Sequence, residues 1–495
     1  MAMIGRMPSP RPALLAATFL GFARLGAQQP APEPIKIGSA ALTGSVRSRL
    51  ENWQWFTPNS GDPGYSFLGN HARLNLTHIG KTNDWTIELA APVLLGLPDN
   101  AIAPGAQGQL GMGATYFAAN DRARNTAMLF PKQVFIRMKG LFGSAASSLR
   151  VGRFEFQDGS EVTAKNPTMG VVKRDRVHQR LIGPFVFTHV MRSFDGAHYV
   201  YNKPKINYTL IGAFPTRGVF QVDGWGWMKT AFVYASATGQ VQRGKTNTGE
   251  WRLFGIYYND WRQVLKQDNR PAAARAADRE HISVGTFGGH YVHVTETKAG
   301  PIDFLALGAG QTGKWGMLDH RAGMVDFEAG LQPKILPKLR PWLRGGYYYG
   351  SGDGNPADGK HTTFFQLLPT ARPYARFPFF DMMNNEDIFG MVTLRPHPKL
   401  TLKSEVHGLR LANRNDLWYI GGGAFQPWSF GYQARNAGGA KGLANLYDVS
   451  GDVTMNARFA ITLYYGYAQG KSVTQAIYPR GKDAHLGYVE LNYKF

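Results

Sequence analysis

The chain has no cysteine among its 495 residues, which excludes a disulfide framework, a thiolate zinc site and a thiol nucleophile. Charged residues are sparse for this length, at 18%, where an ordinary soluble domain carries ~25%. Beyond the N-terminus there is no run of about 18 apolar residues, so helical membrane spans are excluded. No Pro/Ser-rich linker and no shift of composition follows the first forty residues. One large architecture is therefore simpler than two or three domains. Helix-turn-helix, zinc-finger and RNA-binding sheet signatures are also missing, and nucleic acid is not an expected partner.

What is scarcest is acid. Lys and Arg number 55 against 34 Asp and Glu, a formal charge of +21, which suits an anionic solute or a phosphorylated membrane surface. The N-terminus reads as an export signal: Arg6 and Arg11, an apolar stretch from Ala13 to Phe22, then Leu25-Gly26-Ala27 before Gln28. Cleavage is expected near Ala27. This divides the chain into a leader over 1–27, a short segment over 28–37 and one domain over 38–495; without Arg6, Arg11 and Arg24 the mature charge stays near about +18.

From Gly38 onward the dominant pattern is period-two alternation over roughly ten residues, broken by Gly, Asn, Asp and Pro. Ser45, Arg47, Arg49 and Glu51 share one face, opposite Val46, Ser48 and Leu50. Val325, Phe327, Ala329 and Leu331 alternate with Met324, Asp326, Glu328 and Gly330. The pattern predicts strands near 42–56, 65–80, 84–97, 128–139, 148–156, 185–201, 206–215, 228–240 and 250–259. Nine more follow near 280–295, 301–315, 320–332, 339–350, 386–395, 399–411, 446–455, 458–470 and 484–495. About eighteen is an even count, as a closed antiparallel transmembrane β-barrel requires. Short connections such as 80–84, 202–205, 333–338 and 396–399 alternate with long ones near 98–127, 157–184, 260–279, 351–385 and 412–445. Outer-membrane barrels alternate in this way: with a periplasmic N-terminus, every long connection is extracellular. The last strand places Val489, Leu491, Tyr493 and Phe495 on one face. A strand ending on an aromatic carboxyl terminus resembles the signal read by the barrel assembly machinery, which the fold would need because its last strand must pair with its first.

The same alternation assigns the lumen face, where Arg47, Arg49, Arg137, Arg344, Arg395 and Arg458 are candidate solute contacts. Bases on that face exceed acids by only about four, so most of the positive charge is expected in loops and turns. Arginine suits a carboxylate pathway because its planar guanidinium keeps its charge and forms forked hydrogen bonds. Catalysis has weaker support. His189, His281 and His293 fall on predicted strands without a Gly-x-Ser-x-Gly elbow. Glu405 and His407 share the lumen face with no third ligand at a metal spacing, and Gly470-Lys471-Ser472 is read as a strand end without a following helix, not a phosphate loop. Gly421-Gly422-Gly423 suits a long loop better than a nucleotide cradle. No catalytic residue, metal or cofactor is expected.

Three stretches carry a family resemblance: Leu149-Arg150-Val151-Gly152-Arg153, Arg192-Ser193-Phe194-Asp195-Gly196, and Leu339 to Arg344 running through Ser351-Gly352-Asp353 to Phe364-Phe365-Gln366-Leu367-Leu368-Pro369-Thr370. They resemble segments of the alginate export porins. The third departs from the family pattern at Phe365-Gln366, at Leu367-Leu368 and at Ala371-Arg372. The resemblance implies an all-β, 18-stranded outer-membrane barrel that passes a uronate polymer or related anionic saccharide by diffusion. It implies Arg153, Arg192 and Arg344 as solute contacts. Strict alternation from Leu149 and Val151 would turn Arg153 to lipid, so that role requires a bulge at Gly152. A porin for small anions, an outer-rim enzyme and a plugged surface-binding barrel are the alternatives. Expected partners are outer-membrane lipids and lipopolysaccharide, the assembly machinery through Phe495 and the anionic solute, with the chain working as a monomer.

Overall fold

Alternation of outward apolar and inward polar side chains resolves into eighteen long strands. The computed structural model describes residues 32–244, 246–370 and 376–495. The expected leader 1–27, residues 28–31 of the segment after it and the Ala371-Arg372 departure lie outside the described residues. The wall consists of β1 (Ala40–Gln54), β2 (Gly64–Ile79), β3 (Asn83–Leu95), β4 (Phe130–Lys139), β5 (Ser147–Phe154) and β6 (Phe194–Asn202). It continues with β7 (Ile206–Pro215), β8 (Thr230–Arg243), β9 (Asn247–Asp260), β10 (Ile282–Glu296), β11 (Pro301–Trp315) and β12 (Leu318–Leu331). The last six are β13 (Trp342–Gly350), β14 (Asn385–His397), β15 (Leu400–Leu411), β16 (Gly442–Thr454), β17 (Phe459–Gly470) and β18 (Ala484–Lys494).

Each strand pairs antiparallel with its neighbours in sequence, and β1 pairs β18 from Ser45↔Lys494 to Gln54↔His485, closing the barrel. Closure leaves no edge of unpaired backbone groups, the condition for crossing lipid with strands. Phe495 completes the seam. Its N–H donates to Gly44 O and its own carbonyl accepts from Gly44 N, both at 3.0 Å. A Cβ on Gly44 would stand 2.2 Å from Phe495 Cζ, so glycine there admits the terminal ring.

The expected faces hold. On β1, Arg47, Arg49 and Glu51 are buried while Val46 and Leu50 are exposed. On β12, Met324, Asp326 and Glu328 are buried against exposed Val325 and Phe327. One end of the barrel carries the long connections 55–63, 96–129, 155–193, 216–229, 261–281, 351–384, 412–441 and 471–483, with a two-residue turn at 316–317. The other end carries short ones such as 80–82, 203–205 and 398–399. The long-loop end is extracellular by the periplasmic-turn rule.

Two expectations are corrected here. The strand expected over 185–201 begins only at Phe194, and residues 185–193 instead turn into the lumen, with positive φ at Phe185 and Met191. Phe185 and Phe187 mimic a strand by their spacing, but every residue of the segment except Val186 is buried, because it packs inside the barrel on more than one side. The Gly470-Lys471-Ser472 stretch is followed by a short helix, Ser472–Ile477, where none was expected.

Candidate solute pathway

Residues 155–193 form a strap across the lumen. Asn166 caps the short helix Pro167–Val172, its side chain accepting from Met169 N at 3.0 Å, and Pro167 supplies a preset first turn. A wider turn over Lys173–Val177 carries the chain on. Polar side chains then tie the strap to opposite walls. Toward β9 and β12, Lys173 lies 2.6 Å from Glu250, Arg176 lies 2.7 Å from Glu328 and Arg180 lies 2.7 Å from Asp326. Toward β1 and β2, Arg47 donates to Val186 O at 2.5 Å and to Thr188 O, and His71 donates to His189 O at 2.5 Å. His189 lies 2.9 Å from Glu51. Loop 351–384 joins the strap: Leu368 N donates to Leu181 O at 2.8 Å and Gly183 N to Leu368 O at 2.7 Å.

The wall arginines expected to face the solute are mostly neutralised by neighbours. Arg49 sits 2.7 Å from Glu51 and 3.3 Å from Glu490, with its guanidinium 3.9 Å above the Phe187 ring of the strap. Arg47 reaches Glu490 only at 3.9 Å. Arg344 is buried between Asp303 at 3.1 Å and Glu328 at 3.0 Å. Arg137 lies 3.8 Å from Asp84, near the short-turn end. Arg395 packs 5.6 Å from the Trp342 ring. Arg458 lies in the turn before β17, outside the strand wall. The lumen face is thus largely an ionic network, in which most of these wall arginines are compensated close by.

Arg153 does not line the lumen. The register of β5 with β4 and with β6 runs through Gly152 without a bulge, so the side chain follows Val151 to the outer face. There it is paired with Asp195 through two 2.7 Å contacts and lies 4.2 Å from the Trp225 ring. Arg150, three residues earlier and so on the other face, points inward instead, over the rings of Phe135 and Phe154. Of the histidines expected on strands, His189 belongs to the strap and His281 precedes β10. His407 lies 2.8 Å from Asp387 and 3.3 Å from Glu405, so the expected Glu405–His407 pair is joined by a second carboxylate.

Arg192 differs from the paired arginines. It is fully buried where the strap turns into β6. Among the described residues it donates only to Gly422 O, and its Nε and Nη1 groups have no acceptor. Burial, with a smaller push from Arg262 and partly offset by the tyrosines Tyr432 and Tyr258, lowers its pKa to about 10. Gly422 packs against the strap because its missing side chain leaves room for the Phe185 ring; a Cβ would stand 2.4 Å from it. Phe185, Gly421 and Tyr432 also line a cavity of about 300 Å³ at the long-loop end, walled further by Trp55, Phe220 and Phe425. Behind its wall Arg435, from the hairpin Trp418–Gly421 and Tyr432–Arg435, donates to Gln109 O at 3.0 Å and Gln433 Oε1 at 2.7 Å, both residues of the cavity lining. Its Nε and Nη1 are likewise unmatched among the described residues. An aromatic chamber with two buried guanidinium groups close behind its wall, neither paired with a carboxylate among the described residues, is suited to an anion carrying a ring. Arg435 was not reached from the sequence, which offers no periodic signal in a loop.

An eighteen-stranded barrel, closed by its own termini and with its long loops folded inward at one end, defines the class of outer-membrane channels. The alginate export family model matches residues 112–476, and the chain belongs to that family, in the bacterial outer membrane. No curated protein matches it in sequence. Solved structures match in fold. Pseudomonas aeruginosa OccK9 (OpdG) is similar with a TM-score of 0.56 at 9% identity, covering 93% of this chain and 99% of that one. Acinetobacter baumannii OccAB2 is similar with a TM-score of 0.56 at 8% identity, covering 93% and 98%. Pseudomonas aeruginosa OpdK, solved with vanillate, gives a TM-score of 0.53 at 10% identity, covering 92% and 98%.

Proposed function

We propose that the barrel passes carboxylate-bearing saccharides by diffusion, without a chemical step. The observation that carries this reading is Arg192, which holds the Gly422 carbonyl behind the Gly421 side of an aromatic chamber and, among the described residues, leaves two N–H donors unused. A buried donor without an acceptor costs ~1–3 kcal/mol, and a solute carboxylate would relieve that cost in passing. Aromatic walls accept the apolar faces of sugar rings without fixing their identity. Behind them, Arg47 and Arg49 hold the strap through its carbonyls and Arg344 braces Glu328, to which Arg176 of the strap is tied, while Arg137, Arg395 and Arg458 lie toward the short-turn end. Uronate units, one carboxylate per ring, match this arrangement.

A second reading, small carboxylates in place of a polymer, is favoured by the strap crossing the lumen with Leu368 and Thr370 hydrogen-bonded to it, and by vanillate in the OpdK structure. Flux into proteoliposomes separates the two. Uronate monomers and uronate oligomers entering faster than neutral hexoses of the same size would support the saccharide reading. Entry of monomers alone would favour the small-anion reading, and no preference over neutral sugars would contradict both.

A further inference from the structure

On the outside of the barrel a groove of about 690 Å³ runs along β14, β15 and β16 at the long-loop end. It exists because Gly408 presents no side chain there: a Cβ would find its nearest neighbour, Ile388 O, at 3.7 Å. The pairing of β15 with β16 also shifts register between Leu409 and Arg410, which opens the upper end. Below, on the lipid side, the groove is bordered by Ile388, Val406 and Tyr447, all well exposed. Above it stand Arg410, Lys441 and Lys471. Glu386 is the carboxylate among them; it pairs with Arg410 and lies 3.8 Å from Lys441. Three cations against one anion leave an unneutralised positive rim directly over an apolar trough.

We propose that this groove seats lipopolysaccharide, the phosphorylated glycolipid of the outer leaflet. A lipid A phosphate would rest against Arg410, Lys441 and Lys471, with acyl chain lying over Gly408 between Ile388, Val406 and Tyr447. The order of the parts carries the assignment. At the extracellular end of an outer-membrane strand, apolar side chains meet acyl tails and the residues just beyond them meet headgroups. A soluble anion would need only the cations, and a protein partner would not reach apolar residues set into the bilayer. The trough extends the charged rim toward the membrane, as one molecule with both chemistries requires. The site lies on the opposite face of the wall from the solute pathway and does not depend on which solute passes.

The test is native mass spectrometry of the full chain in a neutral detergent with added diphosphoryl lipid A. The chain is expected to retain one lipid A, and K441Q/K471Q to bind it about tenfold more weakly. Removing the lipid A phosphates should weaken binding similarly, and neither inorganic phosphate nor phosphatidylglycerol at matched charge should displace it. Heat-modifiability and single-channel conductance of the variant should be unchanged, since neither lysine faces the lumen. G408F reads the apolar half independently and is expected to lose the adduct while keeping the cations. Unchanged binding in both variants, displacement by inorganic phosphate, or equal competition by phosphatidylglycerol would each overturn the proposal.

Discussion

Arg176 of the strap donates from Nε to Glu328 Oε1 of β12 at 2.7 Å, while Arg344 of β13 holds the same carboxylate from the wall side at 3.0 Å. One buried glutamate thus fastens the constriction to the barrel. Replacing Glu328 with Gln leaves two guanidinium groups short of a counter-charge, a local cost of about 3–5 kcal/mol. We expect faster hydrogen exchange over residues 167–182 and a larger, noisier single-channel conductance. Unaltered exchange and conductance would mean that the strap is held elsewhere.

Arg153 provides the contrast. Because it faces outward and is already paired with Asp195, Arg153→Ala should leave ion selectivity unchanged. A change of stability within about 1 kcal/mol is expected, as for a partly exposed ion pair. A shifted reversal potential in this variant would return Arg153 to the pathway.

The barrel was legible in the sequence because lipid and lumen impose opposite demands on alternate residues. Val46 and Leu50 against Arg47 and Arg49 show this in a single strand. All eighteen expected strands have counterparts, and the seam at Phe495 was legible from the last residue alone. The inward strap was not. Phe185, Phe187 and His189 stand at strand spacing, and periodicity reports only that side chains are buried, not what buries them. The three-way contact of Arg176, Glu328 and Arg344 joins residues far apart in sequence, and the alternation on β12 marks Glu328 only as inward. For Arg153, alternation from Leu149 and Val151 pointed outward; the bulge required by the family resemblance is absent.

Loop 412–441 should respond to acid. Asp416 accepts from Asp353 N at 2.8 Å, from Thr363 Oγ1 at 2.5 Å and from Tyr419 Oη at 2.8 Å, yet burial raises its pKa to about 6. A carboxyl raised above its unfolded value binds its proton more tightly when folded. Its stabilising contribution is therefore full below about pH 4 and is lost as pH rises through about 6. Hydrogen exchange of residues 351–370, corrected for intrinsic rate, should be slower at pH 4.5 than at pH 7. Asp416→Asn should flatten that difference, and exchange slower at pH 7 would contradict the assignment.

Phe495 pairs its backbone with Gly44 and places its ring over that residue. Deleting it removes the last link of the β1–β18 seam and the aromatic terminus proposed to be read during assembly. We expect a smaller heat-modifiable fraction in outer-membrane preparations, with Phe495→Tyr retaining most of it. Full assembly of the deletion variant would separate the terminus from biogenesis.

The central claim is that anions are drawn through by guanidinium groups that the wall leaves unpaired, Arg192 foremost. The measurement that bears on it most directly is the reversal potential across a planar bilayer under a potassium chloride gradient, for the native chain and for Arg192→Gln. The account predicts anion preference in the native channel and a clear loss of it in the variant, with Arg153→Ala as the unchanged control. Cation preference in the native channel, or an identical potential in Arg192→Gln, would contradict it.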